Sequence, residues 1–409
     1  MPSNHTSWLV RARGAFPALA GDVAYLDGPG GSQVPEQVIA AMAACLRDAN
    51  ANLNGAFATS AAAGEIVAAG RQAAADLVGG SPGEIAFGPN MSTLNFLLAH
   101  AVARTLEPGD EIVTTVLDHD ANISPWLQAA EDHGLFVRTV PVTDPDLAVD
   151  LRALEASLSS RTRIVAFTLA SNAVGTVPQA REIADLAHDA GALAWADAVH
   201  YAPHRRVDVR LLGVDVLLCS PYKFFGPHMG MAWARRQLLE SWPADRVRPA
   251  AQTPPGHRFE LGTQSHEAIA GFTAAVEYLA SLGAGLDRRS RLDSAFARIQ
   301  HHEEGLARRF LVSVAGIPGV TVYGIADPAR VGERTPTFCV TIEGRDPRAV
   351  AERLAARGVN VWDGSYYAPE LMAHLGLEGR GGGVRIGFLH YTTPEEVDRI
   401  LTELRLAAR

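Results

Sequence analysis

Cysteine is scarce in this chain, which has only three in 409 residues, Cys45, Cys219 and Cys339. They are odd in number and far apart, so the sequence predicts neither a disulfide framework nor a Cys-x-x-Cys metal site, and no metal is expected. Each lies in a helix-like or strand-like run, which predicts buried structural thiols. This cysteine usage indicates a reducing, cytoplasmic location.

Basic residues are in the minority, and long apolar runs are missing. The 36 Lys and Arg against 45 Asp and Glu give a net charge of −9, so nucleic acid and anionic membranes are poor candidates as partners. No uncharged apolar stretch reaches about 18 residues, and residues 1–11 lack the apolar core of a signal peptide. The content of 47% hydrophobic and 20% charged residues is typical of a globular protein, here long enough for two or three domains.

Short apolar runs alternate with longer helix-like patterns through the middle of the chain. Such alternation predicts parallel strands joined by crossover helices, in a sheet that is covered on both faces and binds ligands at the carboxyl ends of its strands. From about residue 285 the helices lengthen and the strands become fewer, which predicts a smaller α+β domain. The strand-like runs of the middle region are 111–116, 136–140, 163–168, 193–196 and 214–219.

Two of these strand-like runs end in residues that suit one cofactor. Asp197 follows the run 193–196, and Lys223 follows the run 214–219 within Ser220-Pro221-Tyr222-Lys223. A pyridoxal phosphate (PLP) enzyme needs this layout, because a lysine forms the Schiff base and an aspartate keeps the pyridine nitrogen protonated. A lysine after a strand is by itself usually a solvated surface charge, and the pairing with Asp197 favours the cofactor.

Hydroxyl side chains near the start of a helix-like pattern suit the phosphate of that cofactor. Ser92 and Thr93 precede the helix-like run 94–103, where backbone N–H groups bind anions, and Ser220 offers a second hydroxyl. Either Ser92 or Thr93 is alternatively a plain helix N-cap.

Three further residues have two interpretations each. His119 follows the run 111–116 and is either a ring that lies flat on the pyridine or a loop histidine without a role. Asn172 follows the run 163–168 and either reaches the phenolic oxygen of the cofactor or forms a turn. Arg385, on a predicted strand of the smaller domain, either binds a substrate carboxylate through its planar guanidinium or is an exposed strand charge.

Together these segments resemble the class V aminotransferase family of PLP enzymes, which has fold type I, and especially its cysteine desulfurase-like branch. The resemblance runs from Tyr25-Leu26-Asp27 to near the C-terminus, and its most specific part is Asp197 with Ser220-Pro221-Tyr222-Lys223. The other similar stretches are 118–126, 171–176, 259–263 and 385–387.

The resemblance implies an α/β fold with a large PLP-binding domain over residues 25–280, whose mainly parallel seven-stranded sheet lies between helices. It implies a smaller α+β C-terminal domain over residues 281–409, with an N-terminal segment, 1–24, that packs on this small domain. It also implies a homodimer with active sites at the interface and an amino acid as the substrate.

The resemblance also implies a role for each candidate residue. As catalytic residues, Lys223 forms the Schiff base and moves the proton at Cα, Asp197 holds the pyridine nitrogen, and His119 stacks on the ring. Asn172 and His200 lie by the phenolic oxygen. The phosphate is surrounded by Met91, Ser92, Ser220 and Tyr222, with Thr263 reaching the phosphate of the other subunit, and Arg385 binds the substrate carboxylate. Apart from the resemblance, the substrate pocket is expected to include Tyr366, Tyr367 and Gly30.

Two departures from the family pattern bear on the reaction. Cysteine desulfurases carry sulfur on a loop cysteine within Arg-x-Gly-His-His-Cys-Ala, and the matching stretch here, residues 362–368, has Tyr367 in place of that cysteine. Ser365 and Tyr366 replace the two histidines, and Tyr222 replaces the histidine that usually precedes the lysine. A phenol cannot hold a persulfide as a thiolate does, so persulfide-forming desulfuration is disfavoured.

The favoured hypothesis is therefore a PLP-dependent lyase that eliminates a β-substituent from an amino acid, with C–S cleavage as the nearest precedent in the family. Tyr366 or Tyr367 is placed to protonate the leaving group. The alternative is transamination or epimerisation through the same chemistry at Cα. A non-catalytic scaffold that keeps only the fold is the hypothesis from a different class.

Overall fold

The structure, a computed structural model, describes residues 4–409 and their side chains from Trp8 onward. Its helices are α1 (Asn4–Gly14), α2 (Glu36–Asp48), α3 (Ala58–Val78), α4 (Met91–Ala103), α5 (Ser124–His133), α6 (Leu151–Ser157), α7 (Ala180–Asp189), α8 (Val209–Leu212), α9 (Arg236–Ser241), α10 (His266–Ser281), α11 (Arg288–Val314), α12 (Pro347–Ala355), α13 (Pro369–His374) and α14 (Pro394–Ala407). Its strands are β1 (Ala24–Tyr25), β2 (Ile85–Gly88), β3 (Glu111–Thr115), β4 (Phe136–Val140), β5 (Val142–Thr143), β6 (Ala148–Val149), β7 (Thr162–Thr168), β8 (Leu193–Asp197), β9 (Val216–Cys219), β10 (Gly230–Ala234), β11 (Val320–Tyr323), β12 (Thr337–Ile342), β13 (Val359–Asn360), β14 (Trp362–Gly364) and β15 (Gly383–Gly387).

Seven strands form the main sheet, in the order β2-β10-β9-β8-β7-β3-β4. All neighbouring pairs are parallel except the two that β10 makes with β2 and β9. Strands β3 and β9 are buried along their whole length, as a sheet covered on both faces requires. The predicted α/β fold with a mainly parallel seven-stranded sheet is confirmed, although the strand-like runs found in the sequence did not include β2 or β10.

The order of the strands brings the predicted cofactor residues to one edge of the sheet. Strands β9, β8, β7 and β3 are consecutive neighbours, so the loops after their carboxyl ends emerge side by side. Those loops carry Lys223, Asn172 and His119. Asp197 is the last residue of β8, so this strand ends one residue later than the predicted run 193–196.

The smaller sheet is antiparallel, in the order β11-β12-β15-β14. In its register Arg385 lies between Cys339 on β12 and Trp362 on β14. Helices α11, α12 and α14 supply apolar side chains to one core with this sheet, which includes Phe310, Phe338 and Leu401. Helix α11, with 27 residues, is the longest of the helices that pack on this sheet.

The N-terminal region contacts the C-terminal part of the chain. Strand β1 pairs in parallel with β13, and Arg13 forms an ion pair with Glu396 at 2.9 Å. The predicted division into 1–24, 25–280 and 281–409 stays a prediction, and residues 1–3 of its first segment lie outside the described residues.

Among the described residues, no helix has the length and apolar character that a membrane span requires. The cytoplasmic location stays a prediction.

Candidate active site

A cavity of about 730 Å³ opens where the carboxyl ends of the main sheet face residues 362–367 and Arg385. Of the predicted site residues, only Thr93 and Thr263 do not line it, and Thr263 is exposed on the surface of the described chain. The residues brought together are Gly30, Met91, Ser92, His119, Asn172, Asp197, His200, Ser220, Tyr222, Lys223, Tyr366, Tyr367 and Arg385.

Lys223 and Asp197 lie in the wall of this one cavity. Lys223 ends a short turn after β9, and its Nζ donates to the Pro29 carbonyl. Burial, together with the charge of Arg385, lowers the pKa of the Lys223 amine to about 7. Burial raises the pKa of the Asp197 carboxyl to about 6, and its Oδ1 accepts from the Val199 N–H at 2.7 Å. An amine with a pKa near 7 is about half neutral at pH 7 and is therefore suited to act as a nucleophile or base.

Lys223 is also the only lysine of the chain. The sequence analysis missed this, although the count of a single residue type was enough to reveal it. No second ε-amine competes for an aldehyde, so a Schiff base on a lysine has one possible position.

His119 follows β3 and begins a turn over Asp120–Asn122. Its Nδ1 accepts from the Ala121 N–H at 3.0 Å, which assigns the proton of the neutral ring to Nε2. Burial, with Lys223 and Arg385, lowers the pKa of His119 to about 4, so the ring is neutral at pH 7. The imidazole stacks with the Tyr367 ring at a centroid distance of 5.5 Å.

Asp118 is a buried carboxyl group that the sequence analysis did not single out. It accepts from the Thr115 hydroxyl at 2.5 Å and from Asn122 Nδ2 at 2.8 Å. Burial raises its pKa to about 8, and the nearby charge of Asp197 acts in the same direction. The signal in the sequence was an aspartate close after an apolar, strand-like run. A neutral Asp118 leaves Asp197 as the ionised carboxylate of the pair.

The start of α4 is a candidate anion site. Asn90 is the N-cap, because its side chain accepts from the Thr93 N–H at 2.8 Å, so the alternative that Ser92 or Thr93 caps the helix is wrong. The Met91 N–H points to the Ser220 hydroxyl at 3.2 Å. The N-terminus of α4, a helix of 13 residues, therefore lies beside the Ser92 and Ser220 hydroxyls at one side of the cavity. Phe96, one turn after Ser92, also lines the cavity and was missed.

His200 and Tyr222 take up other sides of the cavity. His200 Nε2 lies 2.9 Å from the Thr337 hydroxyl, and burial lowers the pKa of its imidazole well below the usual value. The Tyr222 ring stacks on His228 at a centroid distance of 4.8 Å, and burial raises the pKa of its phenol.

Arg385 is buried, so the alternative of an exposed strand charge is wrong. Its Nη1 donates to the Asn172 carbonyl at 3.0 Å, and its Nε has no partner among residues 4–409 and their described side chains. Asn172 donates from Nδ2 to the Tyr366 carbonyl at 2.8 Å, which leaves its buried Oδ1 without a partner. The side-chain amide of Asn172 thus holds residues 362–368, here named the tyrosine loop, in addition to facing the cavity.

The two tyrosines of the tyrosine loop differ in their surroundings. The buried Tyr366 donates its hydroxyl to the Gly383 carbonyl, and burial raises the pKa of its phenol well above the ordinary value. Tyr367 is 74% exposed at the mouth of the cavity. Since the Tyr366 proton is committed to Gly383, Tyr367 is the better of the two candidates for a general acid.

All three cysteines are buried, as predicted, and none lines the cavity. Burial raises the pKa of the Cys339 thiol to about 12 and raises that of the Cys219 thiol as well. Persulfide chemistry requires a reactive, accessible thiolate, which these surroundings disfavour.

The lining residues fit PLP. The cavity combines one weakly basic amine, a buried carboxylate, a helix N-terminus with hydroxyls, and two buried polar atoms without partners, Asn172 Oδ1 and Arg385 Nε. Lys223, Asp197, Ser92 and Ser220 are the residues that would hold the aldehyde, the ring nitrogen and the phosphate.

Comparisons with known proteins agree with this geometry. The model of the family "Aminotransferase class-V" matches residues 24–400. A cysteine desulfurase of Pectobacterium atrosepticum is 31% identical over 97% of this chain and 97% of its own, and an aminotransferase-like protein of Gibberella zeae is 31% identical over 97% and 98%. The apo structure of a cysteine desulfurase from Thermococcus onnurineus NA1 has a TM-score of 0.87 and 26% identity, covering 98% of both chains. The chain belongs to the class V aminotransferase family, as a cysteine desulfurase-like enzyme that depends on pyridoxal phosphate.

Proposed function

We propose that this enzyme is a lyase that eliminates a β-substituent from an amino acid by C–S cleavage, without forming a persulfide on the protein. One observation carries the proposal: all three thiols of the chain are buried outside the cavity. The resemblance of residues 362–368 to the desulfurase loop, with Tyr367 matched to the catalytic cysteine, supports it. Sulfur then departs with the leaving group.

The residues of the cavity have separate tasks in this reaction. Bound PLP withdraws electrons from Cα of the amino acid and so acidifies the Cα–H bond. Lys223, whose amine has a pKa near 7, removes the Cα proton. Arg385 binds the α-carboxylate, and Asp197 keeps the ring nitrogen protonated. His119 lies flat against the ring.

The β-substituent leaves as its thiolate and takes a proton from Tyr367, the exposed phenol at the cavity mouth. In the net reaction, a β-thio-substituted alanine and water give pyruvate, ammonia and a thiol. Phe96, Trp362 and Tyr367 line the outer cavity, so its walls favour a β-substituent bulkier than that of cysteine.

The test is to incubate the holoenzyme with cysteine, with S-alkyl and S-aryl cysteines and with plain amino acids. Pyruvate and thiol released in equal amounts from the S-substituted cysteines are the expected result, with Lys223→Ala as the inactive control. A keto acid formed from alanine without a leaving group would make the enzyme an aminotransferase. Exchange of the Cα proton with racemisation would make it an epimerase. Protein-bound persulfide after reaction with cysteine would refute the proposal.

We also propose a homodimer with active sites at the interface, in which Thr263 reaches the phosphate of the partner. Two features support it. Thr263 is exposed in the isolated chain, and the preceding residues are anchored by a buried ion pair between Arg71 and Glu260 at 2.6 Å. Glu260 also accepts from the Phe87 N–H at 2.8 Å, so the loop is fixed without the cofactor's help.

Light scattering with size-exclusion chromatography tests the oligomeric state, and a dimer is expected. Thr263→Ala should weaken PLP binding in the dimer, while Thr273→Ala on α10 provides a matched control outside this loop. A monomer that binds PLP with full affinity would exclude the shared site.

A further inference from the structure

Arg385 is a buried cation with few partners. Its side chain is 6% exposed, and no carboxylate of the described residues forms an ion pair with it. Of the five N–H donors of a guanidinium, only one forms a hydrogen bond within the described part of the chain, from Nη1 to the Asn172 carbonyl. Nε is buried and unpaired. Such a group is expected to bind an anion, and the remaining question is what holds its plane in position.

The Tyr366 ring lies against this guanidinium. Arg385 Cζ is 4.5 Å from the ring centroid, a cation–π contact within the usual range. The hydroxyl of Tyr366 is fixed by the Gly383 carbonyl, which belongs to the same strand, β15, as Arg385. A Cβ at Gly383 would lie 2.5 Å from Cys339 Sγ, so glycine at this position leaves room for the Cys339 side chain, whereas the Tyr366 hydroxyl, 3.4 Å from such a Cβ, would be in ordinary contact.

The backbone of Tyr366 is held in an unusual conformation. Tyr366 and Tyr367 have φ values of 57° and 56°, in the left-handed region that residues other than glycine seldom adopt. Two hydrogen bonds from the opposite side of the cavity fix this backbone. Asn172 Nδ2 donates to the Tyr366 carbonyl at 2.8 Å, and the Asp120 N–H donates to the Tyr367 carbonyl at 2.7 Å.

We propose that Tyr366 is a positioning residue for Arg385, whose ring supports one face of the guanidinium so that its free donors point at a substrate carboxylate. The inference rests on the proposed function, in which Arg385 binds the α-carboxylate. It assigns Tyr366 a role through its ring and not through its hydroxyl. The tyrosine loop is then a rigid wall of the carboxylate site and not a mobile arm that carries sulfur.

The experiment measures the binding of propionate, a carboxylate without an amine, to the holoenzyme by calorimetry. Tyr366→Leu removes the aromatic face, Tyr366→Phe keeps it, and Arg385→Gln removes the cation. We expect the Kd of propionate to rise about tenfold in Tyr366→Leu and to change less than about threefold in Tyr366→Phe. Arg385→Gln should abolish measurable binding. A second readout is the ratio of kcat/KM for an S-substituted cysteine to that for its carboxamide, which Tyr366→Leu should lower through KM.

Several outcomes would overturn the inference. Equal losses in Tyr366→Phe and Tyr366→Leu would mean that the hydroxyl matters and the ring does not. Unchanged propionate binding in Tyr366→Leu would remove the positioning role. Unchanged binding in Arg385→Gln would exclude the carboxylate site itself. The propionate measurement involves no turnover, so it stands even if elimination proves to be the wrong reaction. If Tyr366→Leu does not fold, Tyr366→Met is measured in the same way.

Discussion

The wall that the main sheet gives to the cavity differs in construction from the wall that the tyrosine loop provides. On the sheet side, Asp197 ends one strand, while Asn172, His119 and Lys223 follow three strands beside it, so ordinary strand geometry puts them together. On the loop side, two consecutive tyrosines have left-handed backbones held by Asn172 and Asp120. Under the proposed function, the sheet edge supplies the chemistry common to PLP enzymes, and the tyrosine loop supplies the acid that favours elimination.

The largest effect is expected from breaking the sheet side. Lys223→Ala removes the only lysine, so turnover should fall by at least about 10³-fold through loss of the base. Borohydride reduction followed by peptide mass spectrometry should attach the cofactor to the peptide containing residue 223 in the unmodified enzyme and to no lysine in the variant. Attachment at the chain's α-amine as the main product of the unmodified enzyme would contradict the assignment.

A smaller effect is expected from the loop side. Tyr367→Phe keeps the ring stacked on His119 and removes the acidic proton, so kcat for an S-alkyl cysteine should fall about 10²-fold. The fall should shrink for leaving groups of low pKa, which need no proton. Tyr323→Phe, on β11 outside the cavity, is the matched control. An equal loss for good and poor leaving groups would remove Tyr367 as the acid.

The pH dependence of PLP uptake tests the lowered pKa of Lys223 on the sheet side of the cavity. Only the neutral Lys223 amine condenses with an aldehyde, and burial lowers its pKa to about 7. The rate at which the apoenzyme takes up PLP should therefore rise from pH 6 and level off above about pH 8, whereas an ordinary lysine continues to gain until about pH 10. In Arg385→Gln the profile should move to higher pH, because a positive neighbour is lost. Stopped-flow absorbance measures the pH profiles of the unmodified enzyme and of Arg385→Gln. Identical profiles would mean that Arg385 does not lower the pKa of Lys223.

The smallest effect concerns the backbone of the loop. At a φ of 56°, glycine is less strained than alanine, so Tyr367→Gly should be more stable than Tyr367→Ala by about 1 kcal/mol. Urea unfolding of the two apoenzymes measures the difference. Ala61, in the helix α3, has ordinary helical backbone and serves as the control. There the variant Ala61→Gly should be less stable than the unmodified chain, which is the opposite order. The same order at both positions would mean that residue 367 is not held in the left-handed region.

Much of the sheet side was predictable because it follows from local pattern. The apolar runs ending near Thr115, Thr168, Asp197 and Cys219 gave the strands within one or two residues at most ends. Parallel strands then place the residues after them at one edge. Strand β10, Gly230–Ala234, was missed because it is antiparallel and follows Lys223 without an intervening crossover helix. The alternation of strand and helix that predicted the other strands is absent there.

The amino-acid sequence by itself determined the Asp197 and Lys223 pair, the resemblance to the class V aminotransferases and the absence of a loop cysteine. These depend on residue identity and on spacing along one strand or turn. Only the tertiary structure decided that Asn172 bonds the tyrosine loop, that the Tyr366 ring lies against the Arg385 guanidinium and that Asp118 is buried close to Asp197. Those contacts join residues far apart in the chain, and the burial that sets their pKa values and hydrogen-bond partners exists only once both sides of the cavity have come together.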